Sequence, residues 1–282
     1  MNNTRLTEFK FPSASRVVVY LVLIIFAFIS IIPIFWMVLA ALKPPAEIAS
    51  NPFGWPTKLT FENLAQAWTV GKMGQYFLNS VIVAVPRVFG VLILSTLAGY
   101  AFAKLKFPGR NKLFLFMLFG LMVPIQAMII PLYMDMQGLG LINTYWAMIL
   151  PYYGLSMPFA IFMMRAFFRE LPDELMEAAR IDGCGNFRAL LYVMLPLVLP
   201  AISSLLVFEF MWSWNDFLIP LLFVYTDSLR TLPLGLMYFS TQYSTNQSLV
   251  AAGVAISTIP ILIIYFIFQR KFIHGLTAGA LK

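Results

Sequence analysis

The stretch Leu171–Pro196, LPDELMEAARIDGCGNFRALLYVMLP, is polar and charged although it lies between long apolar segments. It predicts a short helix that begins near Pro172, because proline at the first helical position lacks only an N–H that would have no partner there. The acidic residues that follow, Asp173 among them, suit the positive end of the helix dipole. Gly183 ends this helix, and Asn186 can cap the next one. We therefore expect an ordered helix–turn–helix between membrane segments.

The composition of the 282-residue chain identifies lipid as its solvent. Hydrophobic residues make up 61% of the chain and charged residues only 11%, against about 25% charged residues in soluble domains. The net charge of +7 comes from basic residues at the ends of apolar runs, as membrane topology requires, so no nucleic-acid partner is expected. Cys184 and His274 are the only residues of their types. An intrachain disulfide and a multi-histidine metal site are therefore excluded.

The apolar runs predict an all-α integral membrane protein with one domain of six transmembrane helices, 17–268. An N-terminal segment, 1–16, and a C-terminal tail, 269–282, flank it, and the polar loop 165–192 divides the fourth span from the fifth. Each span has about the 20 residues that a bilayer requires. The first lacks a small-residue cleavage site, so no cleavable signal peptide is expected. The predicted spans are 17–42, 76–103, 113–134, 145–164, 193–222 and 249–268.

The distribution of basic residues predicts the orientation. With the N-terminus inside, 14 of the 19 Lys and Arg residues fall on the cytoplasmic side, four fall outside, and Arg87 lies within a span. The short outer loop 135–144 has none. Both termini and the loop 165–192 are therefore predicted to be cytoplasmic.

The chain carries no catalytic or nucleotide-binding signature. It lacks the G-x-x-x-x-G-K-[ST] phosphate loop, and its one histidine lies in the tail, so no Ser/His/Asp set can be proposed. We expect a non-catalytic subunit whose energy comes from a partner subunit or from an ion gradient.

Charged side chains within the predicted spans mark a candidate translocation path, because intramembrane charge is costly and usually functional. Arg87 and Glu209 lie at similar predicted depths, so they either meet or both face a polar path. Alternatively, Glu209 lies near the outer interface and Arg87 bonds to carbonyls that nearby prolines leave free. Trp212, Trp214, Asn215 and Asp216 form a second candidate cluster, since aromatic faces with amide and carboxylate groups suit a sugar. Tryptophan at this depth is also a common interfacial anchor.

The spacing of the central stretch resembles the EAA loop of ABC importer permeases. The matching residues are Glu177, Ala178, Ala179 and Gly183, followed after nine residues by Val193-Met194-Leu195-Pro196. The family usually has isoleucine in place of Val193. In that family the loop is the cytoplasmic coupling helix that docks into a cleft of the ATP-hydrolysing subunit. The resemblance therefore implies that the ATPase-coupling residues are Glu177, Ala178, Ala179, Gly183, Leu195 and Pro196.

Shorter motifs extend the resemblance to the smaller permease subunit of carbohydrate-uptake importers, the group that includes the maltose permease and has the type I importer fold. They comprise Gly99–Ala103, Phe107–Arg110, Pro131–Tyr133, Leu141–Thr144, Trp214-Asn215 and Gly275–Ala280. This resemblance implies a heterodimer with a second permease, two ATPase subunits that bind ATP and Mg, and an extracytoplasmic sugar-binding protein. It implies no cofactor in this chain and a bacterial or archaeal cytoplasmic membrane. It also implies ATPase contacts in the tail, at Gly275, Leu276, Thr277 and Gly279.

Two alternatives to a sugar importer remain at this point. One is an ABC permease for another small solute, such as an amino acid or a peptide. The other is an ion-coupled secondary transporter, which would be expected to show inverted repeats and an ion site at the midplane.

Overall fold

The computed structural model describes the backbone of residues 13–280 and the side chains of residues 16–269. Over this range the chain is helical, and no strand occurs within it. Short 3₁₀ turns at Gly120–Met122 and Asp227–Leu229 and a π-helical turn at Leu190–Met194 complete the helical structure. The α-helices are α1 (Ser13–Ala41), α2 (Pro45–Ser50), α3 (Glu62–Thr69), α4 (Met73–Lys104), α5 (Arg110–Phe119), α6 (Ile125–Gly138), α7 (Tyr145–Leu155), α8 (Met157–Glu170), α9 (Glu174–Ile181), α10 (Asn186–Ala189), α11 (Leu195–Trp214), α12 (Leu218–Phe223), α13 (Leu232–Gln242) and α14 (Gln247–Ala280).

The chain divides into two compact units. One contains the residues up to Ala67 together with Tyr243–Ala255, and the other contains Trp68–Gln242 and the residues from Ile256 onward. All the residues predicted to couple to an ATPase or to line a path belong to the second unit.

In the first unit, the loop after α1 is held by a buried lysine. Lys43 is 1% exposed, and its ammonium group donates to the carbonyls of Asn51 and Gly54. The side-chain amide of Asn63 donates to the carbonyls of Ala41, at 2.9 Å, and Lys43, at 2.8 Å. These bonds satisfy backbone acceptors that would otherwise be costly to bury. The segment that follows α1 in this unit is therefore ordered and includes α2.

Only some of the predicted spans are single helices. Four helices are long and apolar enough to cross a membrane, and the number reaches six if each of two bent pairs is one span. The predicted third span is bent by 101° between Met122 and Ile125, where Pro124 precedes α6. Pro131 lies inside α6. The predicted fourth span bends by 48° between α7 and α8 and continues to Glu170.

The helix observed at the predicted fifth span, 193–222, begins earlier and ends sooner than the prediction. Its helical segment runs from Asn186 to Trp214, and α12 is a separate short helix. Asn215 and the residues after it interrupt the chain, so the expected continuous helix to residue 222 does not form. A π-helical turn precedes Pro196, where the N–H of Leu195 bonds to the carbonyl of Leu190. Such a turn accommodates a proline that cannot donate to the preceding turn.

The core of the second unit is the packing of α4 against α7, α8 and α11. Gly99 on α4 makes this packing close. A Cβ at this position would lie 2.6 Å from the Cβ of Met164 and 2.9 Å from the backbone nitrogen of Arg165, both on α8. The two helix backbones therefore approach at a point where only glycine fits, as is common between membrane helices.

Replacing Gly99 by alanine is expected to lower the free energy of unfolding by about 1–3 kcal/mol, because the added methyl group forces two packed helices apart. Gly154→Ala is the matched control, since a Cβ there meets nothing within 4 Å and alanine favours a helix interior by up to about 1 kcal/mol. Chemical denaturation in detergent micelles measures both variants. Equal stability of the Gly99 variant and the wild type would show that the helices do not pack this closely.

Candidate functional site

The predicted coupling helix is α9, and it is fixed to the end of α4. The ammonium group of Lys104 lies 2.5 Å from Asp173 Oδ1 and donates to the carbonyl of Leu171 at 2.6 Å. This hydrogen bond and the charge of Lys104 lower the pKa of the Asp173 carboxyl group. The lysine side chain is 3% exposed and the aspartate side chain 83%. Asp173 therefore ties the first turn of α9 to a cation that α4 holds in place.

Tyr100 of α4 makes the second attachment. Its hydroxyl group donates to the carbonyl of Asn186 at 2.9 Å and lies 3.4 Å from the sulfur of Met176. One side chain of α4 thus contacts both α9 and α10. The loop is a firmly attached body, as the sequence predicted, but neither of these anchors was identified from the sequence.

The two alanines of the motif differ in exposure. Met176 and Ala179 are buried, 4% and 3% exposed, in the core cluster of the second unit. Glu177 and Ala178 are exposed. The sequence predicted that both alanines serve the coupling surface, but only Ala178 presents surface, because the side chain of Ala179 packs against its own subunit.

Ile181 is the surface residue that the sequence reasoning missed. Its side chain is 87% exposed. Because it follows Glu177 by four residues and Ala178 by three, the three side chains share one helix face. We call Glu177, Ala178 and Ile181 the coupling face. The helical spacing itself was a usable signal for Ile181.

Gly183 closes α9 in the left-handed conformation, with φ +79°. The N–H of Cys184 bonds to the carbonyl of Ala179 at 2.8 Å, and the N–H of Gly183 bonds to that of Arg180 at 3.0 Å. These two bonds form a Schellman motif, which satisfies the last carbonyls of the helix and fixes the exit direction of the chain. A Cβ at Gly183 would meet nothing within 4 Å, so crowding does not require glycine here. The left-handed backbone conformation does.

Leu195 and Pro196 do not join the coupling face. Leu195 is half-buried and packs against the core cluster, and Pro196 is exposed in the first turn of α11. Both follow the π-helical turn. The structure places them at the junction between the loop and the fifth span, so they bear on how the loop joins that span.

Within the spans, Arg87 pairs with Asp216. Its Nη1 lies 3.3 Å from Asp216 Oδ2, and its guanidinium carbon lies 3.2 Å from the centroid of the Tyr152 ring. The side chains of Arg87 and Asp216 are 2% and 11% exposed. An ion pair and a cation–π contact together compensate for the loss of water around the guanidinium group.

Glu209 bonds to a different partner from the one expected. Its Oε2 accepts a hydrogen bond from the Ser156 hydroxyl group at 3.0 Å, and the residue is completely buried. Its Oε1 and the Nε of Arg87 have no hydrogen-bond partner. The hypothesis that Arg87 and Glu209 pair directly is not what the structure shows. Both are enclosed within the second unit, so neither lines an open path in this conformation.

The residues of the predicted aromatic cluster differ in how exposed their side chains are. Trp212 is 46% exposed and lies 5.1 Å from the Phe159 ring centroid. Asn215 is exposed, and its side chain donates to the carbonyl of Met211. Trp214 is buried and donates to the carbonyl of Ser257 at 3.0 Å. Trp212 and Asn215 are therefore the predicted path residues that present surface.

The predicted tail contacts, Gly275, Leu276, Thr277 and Gly279, lie outside the residues whose side chains the structure describes. The backbone there continues α14 to Ala280. Among the described residues, no group of three histidine, cysteine or acidic side chains is arranged to hold a metal ion.

Long apolar spans joined by a firmly anchored, charged helix–turn–helix define this chain as a permease subunit of a membrane importer. It belongs to the family described as binding-protein-dependent transport system inner membrane component, whose model matches residues 92–277. Membership of this family is established by a match that covers more than half of the chain. It also places the protein in the inner membrane and argues against the ion-coupled alternative.

Two relatives align over nearly the whole chain. The diacetylchitobiose uptake system permease protein NgcG of Streptomyces coelicolor is 37% identical over 262 residues, which cover 92% of this chain and 87% of the relative. The arabinooligosaccharides transport system permease protein AraQ of Halalkalibacterium halodurans is 38% identical over 260 residues, or 91% and 92% of the two chains.

A solved structure supports the fold. One chain of a bacterial ABC transporter involved in the import of the acidic polysaccharide alginate superposes with a TM-score of 0.81, covering 93% of this chain and 99% of that one. At 22% sequence identity, the likeness supports the importer permease fold and carries no further conclusion about the substrate.

Proposed function

We propose that this chain is the non-catalytic permease subunit of an ABC importer and forms part of the path by which a sugar or sugar derivative crosses the cytoplasmic membrane. The names of NgcG and AraQ, permeases for a disaccharide derivative and for oligosaccharides, favour a carbohydrate over an amino acid or a peptide. The observation that carries the coupling role is the coupling face, an exposed surface on a helix that α4 holds rigidly.

Partner subunits in the proposed assembly supply the functions that this chain does not perform. A second permease subunit would complete the path, two ATPase subunits would bind ATP and Mg, and an extracytoplasmic binding protein would deliver the sugar. The absence of a phosphate-loop sequence favours this division of labour, because the energy must then be released on another chain. No cofactor is assigned to this subunit.

The proposed topology has six spans in the domain 17–268, with the segment 1–16, the loop 165–192 and the tail 269–282 on the cytoplasmic side. The two bent helix pairs count as one span each. The distribution of Lys and Arg supports this orientation. It places the coupling face where an ATPase can reach it.

Coupling would proceed through the anchors of α9. Ile181 offers an apolar side chain whose full burial against a partner is worth about 1.5–3 kcal/mol. Glu177 offers a charge, and Ala178 allows close approach. Displacement of α9 would move α4 through Lys104 and Tyr100, since both residues contact the loop directly. Leu195 and Pro196 would carry the movement into the fifth span.

The other predicted sites divide by their exposure. Trp212 and Asn215 are the proposed substrate-path residues, because their side chains reach the surface. Arg87, Glu209 and Asp216 are proposed to hold the surrounding helices in one arrangement. Gly275, Leu276, Thr277 and Gly279 are proposed to contact the ATPase.

Cysteine crosslinking tests the coupling face with a matched pair of adjacent residues. In a Cys184→Ala background, Ala178→Cys is expected to crosslink to a cysteine on the ATPase with an efficiency that changes when ATP is added. Ala179→Cys is expected to crosslink poorly, because that side chain is 3% exposed within its own subunit. Reaction of Ala178→Cys with a membrane-impermeant thiol reagent outside intact cells would refute both the topology and the coupling role.

A further inference from the structure

A cavity of about 390 Å³ lies beside α9 and is strongly basic. It is formed by the end of α4, the loop that follows α4, the end of α8 and one side of α9. Two carboxylates, Asp173 and Glu177, also line it. The five basic side chains that line it are those of Lys104, Lys106, Arg110, Arg169 and Arg180.

The charged side chains that line this cavity are mostly basic. Lys104 is matched by Asp173 at 2.5 Å. After the contribution of Lys104, the charges of Lys106 and Arg110 also help to lower the pKa of Asp173. Lys106 and Arg180 are exposed. Five basic groups against two acidic ones favour an anion, and guanidinium groups suit a phosphate group in particular.

An apolar surface begins where the cavity ends. Arg110 is the first residue of α5, and Leu113 and Phe116 of the same helix are 49% and 71% exposed. Because they are three residues apart, these two side chains are neighbours on the helix surface. A basic cavity lined by Arg110, on the same helix as this exposed apolar surface, matches a ligand with an anionic head and a hydrocarbon chain.

We propose that this cavity binds the phosphate headgroup of an anionic phospholipid from the cytoplasmic leaflet, with an acyl chain along Leu113 and Phe116 of α5. Basic pockets at the cytoplasmic ends of membrane helices recognise such headgroups. A free phosphate ion would make no use of the apolar surface, and an acidic peptide would not need it. The bound headgroup lies beside Lys106 and Arg180, so it contacts the side of α9 that lines the cavity.

The proposal rests on the cytoplasmic orientation proposed above, although its test does not depend on sidedness. The complete transporter, with its partner permease and ATPase subunits, is reconstituted in nanodiscs of phosphatidylcholine with increasing phosphatidylglycerol. Native mass spectrometry counts the phosphatidylglycerol molecules that remain bound after release from the disc. The double variant Lys106→Gln/Arg180→Gln is compared with Lys58→Gln, an exposed lysine in the loop 43–75.

We expect the double variant to bind phosphatidylglycerol about thirtyfold more weakly, since each basic residue near an anionic lipid contributes a factor of about five. Lys58→Gln is expected to bind it as the wild type does. Unchanged retention in the double variant would overturn the proposal. So would displacement of the lipid by millimolar inorganic phosphate, which would indicate a site for free anions.

Two further outcomes would distinguish a failure of the lipid site from a failure of the coupling role. If the double variant loses its ATPase subunits while the remaining permease retains phosphatidylglycerol, the cavity belongs to the ATPase interface and the lipid site is refuted. If Ala178→Cys fails to crosslink while lipid retention depends on Lys106 and Arg180, the coupling role fails and the lipid site stands.

Discussion

Replacing Arg87 by methionine is expected to lower the free energy of unfolding by about 3–5 kcal/mol, the usual cost of removing one partner of a buried ion pair. Methionine fills much of the same volume, so the loss comes from charge. Arg87 is 1% exposed, and the variant leaves the carboxylates of Asp216 and Glu209 without their nearby cation. Unfolding in mixed micelles measures the stability, and immunoblotting of membranes measures how much folded subunit accumulates.

Two further variants separate charge from shape. Arg87→Lys keeps the charge but loses the planar contact with Tyr152, so a smaller loss is expected. Arg87→Met combined with Asp216→Asn is expected to recover part of the stability, because the carboxylate that paired with Arg87 is then removed as well. A coupling energy larger for Arg87 with Glu209 than for Arg87 with Asp216 would contradict the observed pairing.

The sequence predicted which segments form apolar helices but not where those helices bend. Hydropathy measures composition along the chain, so it located all the apolar runs. Pro124 lies at a bend of 101°, whereas Pro131 lies inside α6. A proline clashes with the preceding turn and frees a carbonyl there. Whether the helix continues through it depends on neighbouring groups that satisfy this carbonyl, and these are remote in sequence.

The intramembrane pairing was missed for a related reason. The helix that carries Glu209 ends at Trp214. Asp216 lies beyond that end, so the count of residues along the helix gives no position for it. Arg87 and Asp216 are 129 residues apart in sequence, so no local pattern could join them.

The coupling loop was better predicted because its signals are local. The first acidic turn, the glycine at the helix end and the order of the loop all depend on residues within a few positions of one another. The inward orientation of Ala179 depends on α4, which supplies Lys104 and Tyr100 from about 70 residues away. Periodicity therefore identifies two faces of α9, whereas only the tertiary contacts decide which of them is buried.

Replacing Gly183 by valine is expected to lower import at least tenfold while leaving the subunit in the membrane. Gly183 has φ +79°, a conformation that a β-branched residue avoids at a cost of about 1–2 kcal/mol. The strained turn would give up the Schellman bonds to Ala179 and Arg180, so α9 would lose its fixed exit direction. We expect ATPase subunits to co-purify poorly and transport to fall at least tenfold, since 1.4 kcal/mol corresponds to about a factor of ten.

Gly185→Val is the control that isolates backbone conformation from side-chain bulk. Gly185 lies two residues further along the same turn, with φ −70° and ψ 164°, values that valine adopts readily. A Cβ meets nothing within 4 Å at either glycine. Gly185→Val should therefore import at nearly the wild-type rate, and Gly183→Asn should be intermediate because asparagine tolerates positive φ. Equal losses in the two valine variants would show that the surface of the turn, and not the left-handed conformation of Gly183, is what the ATPase requires.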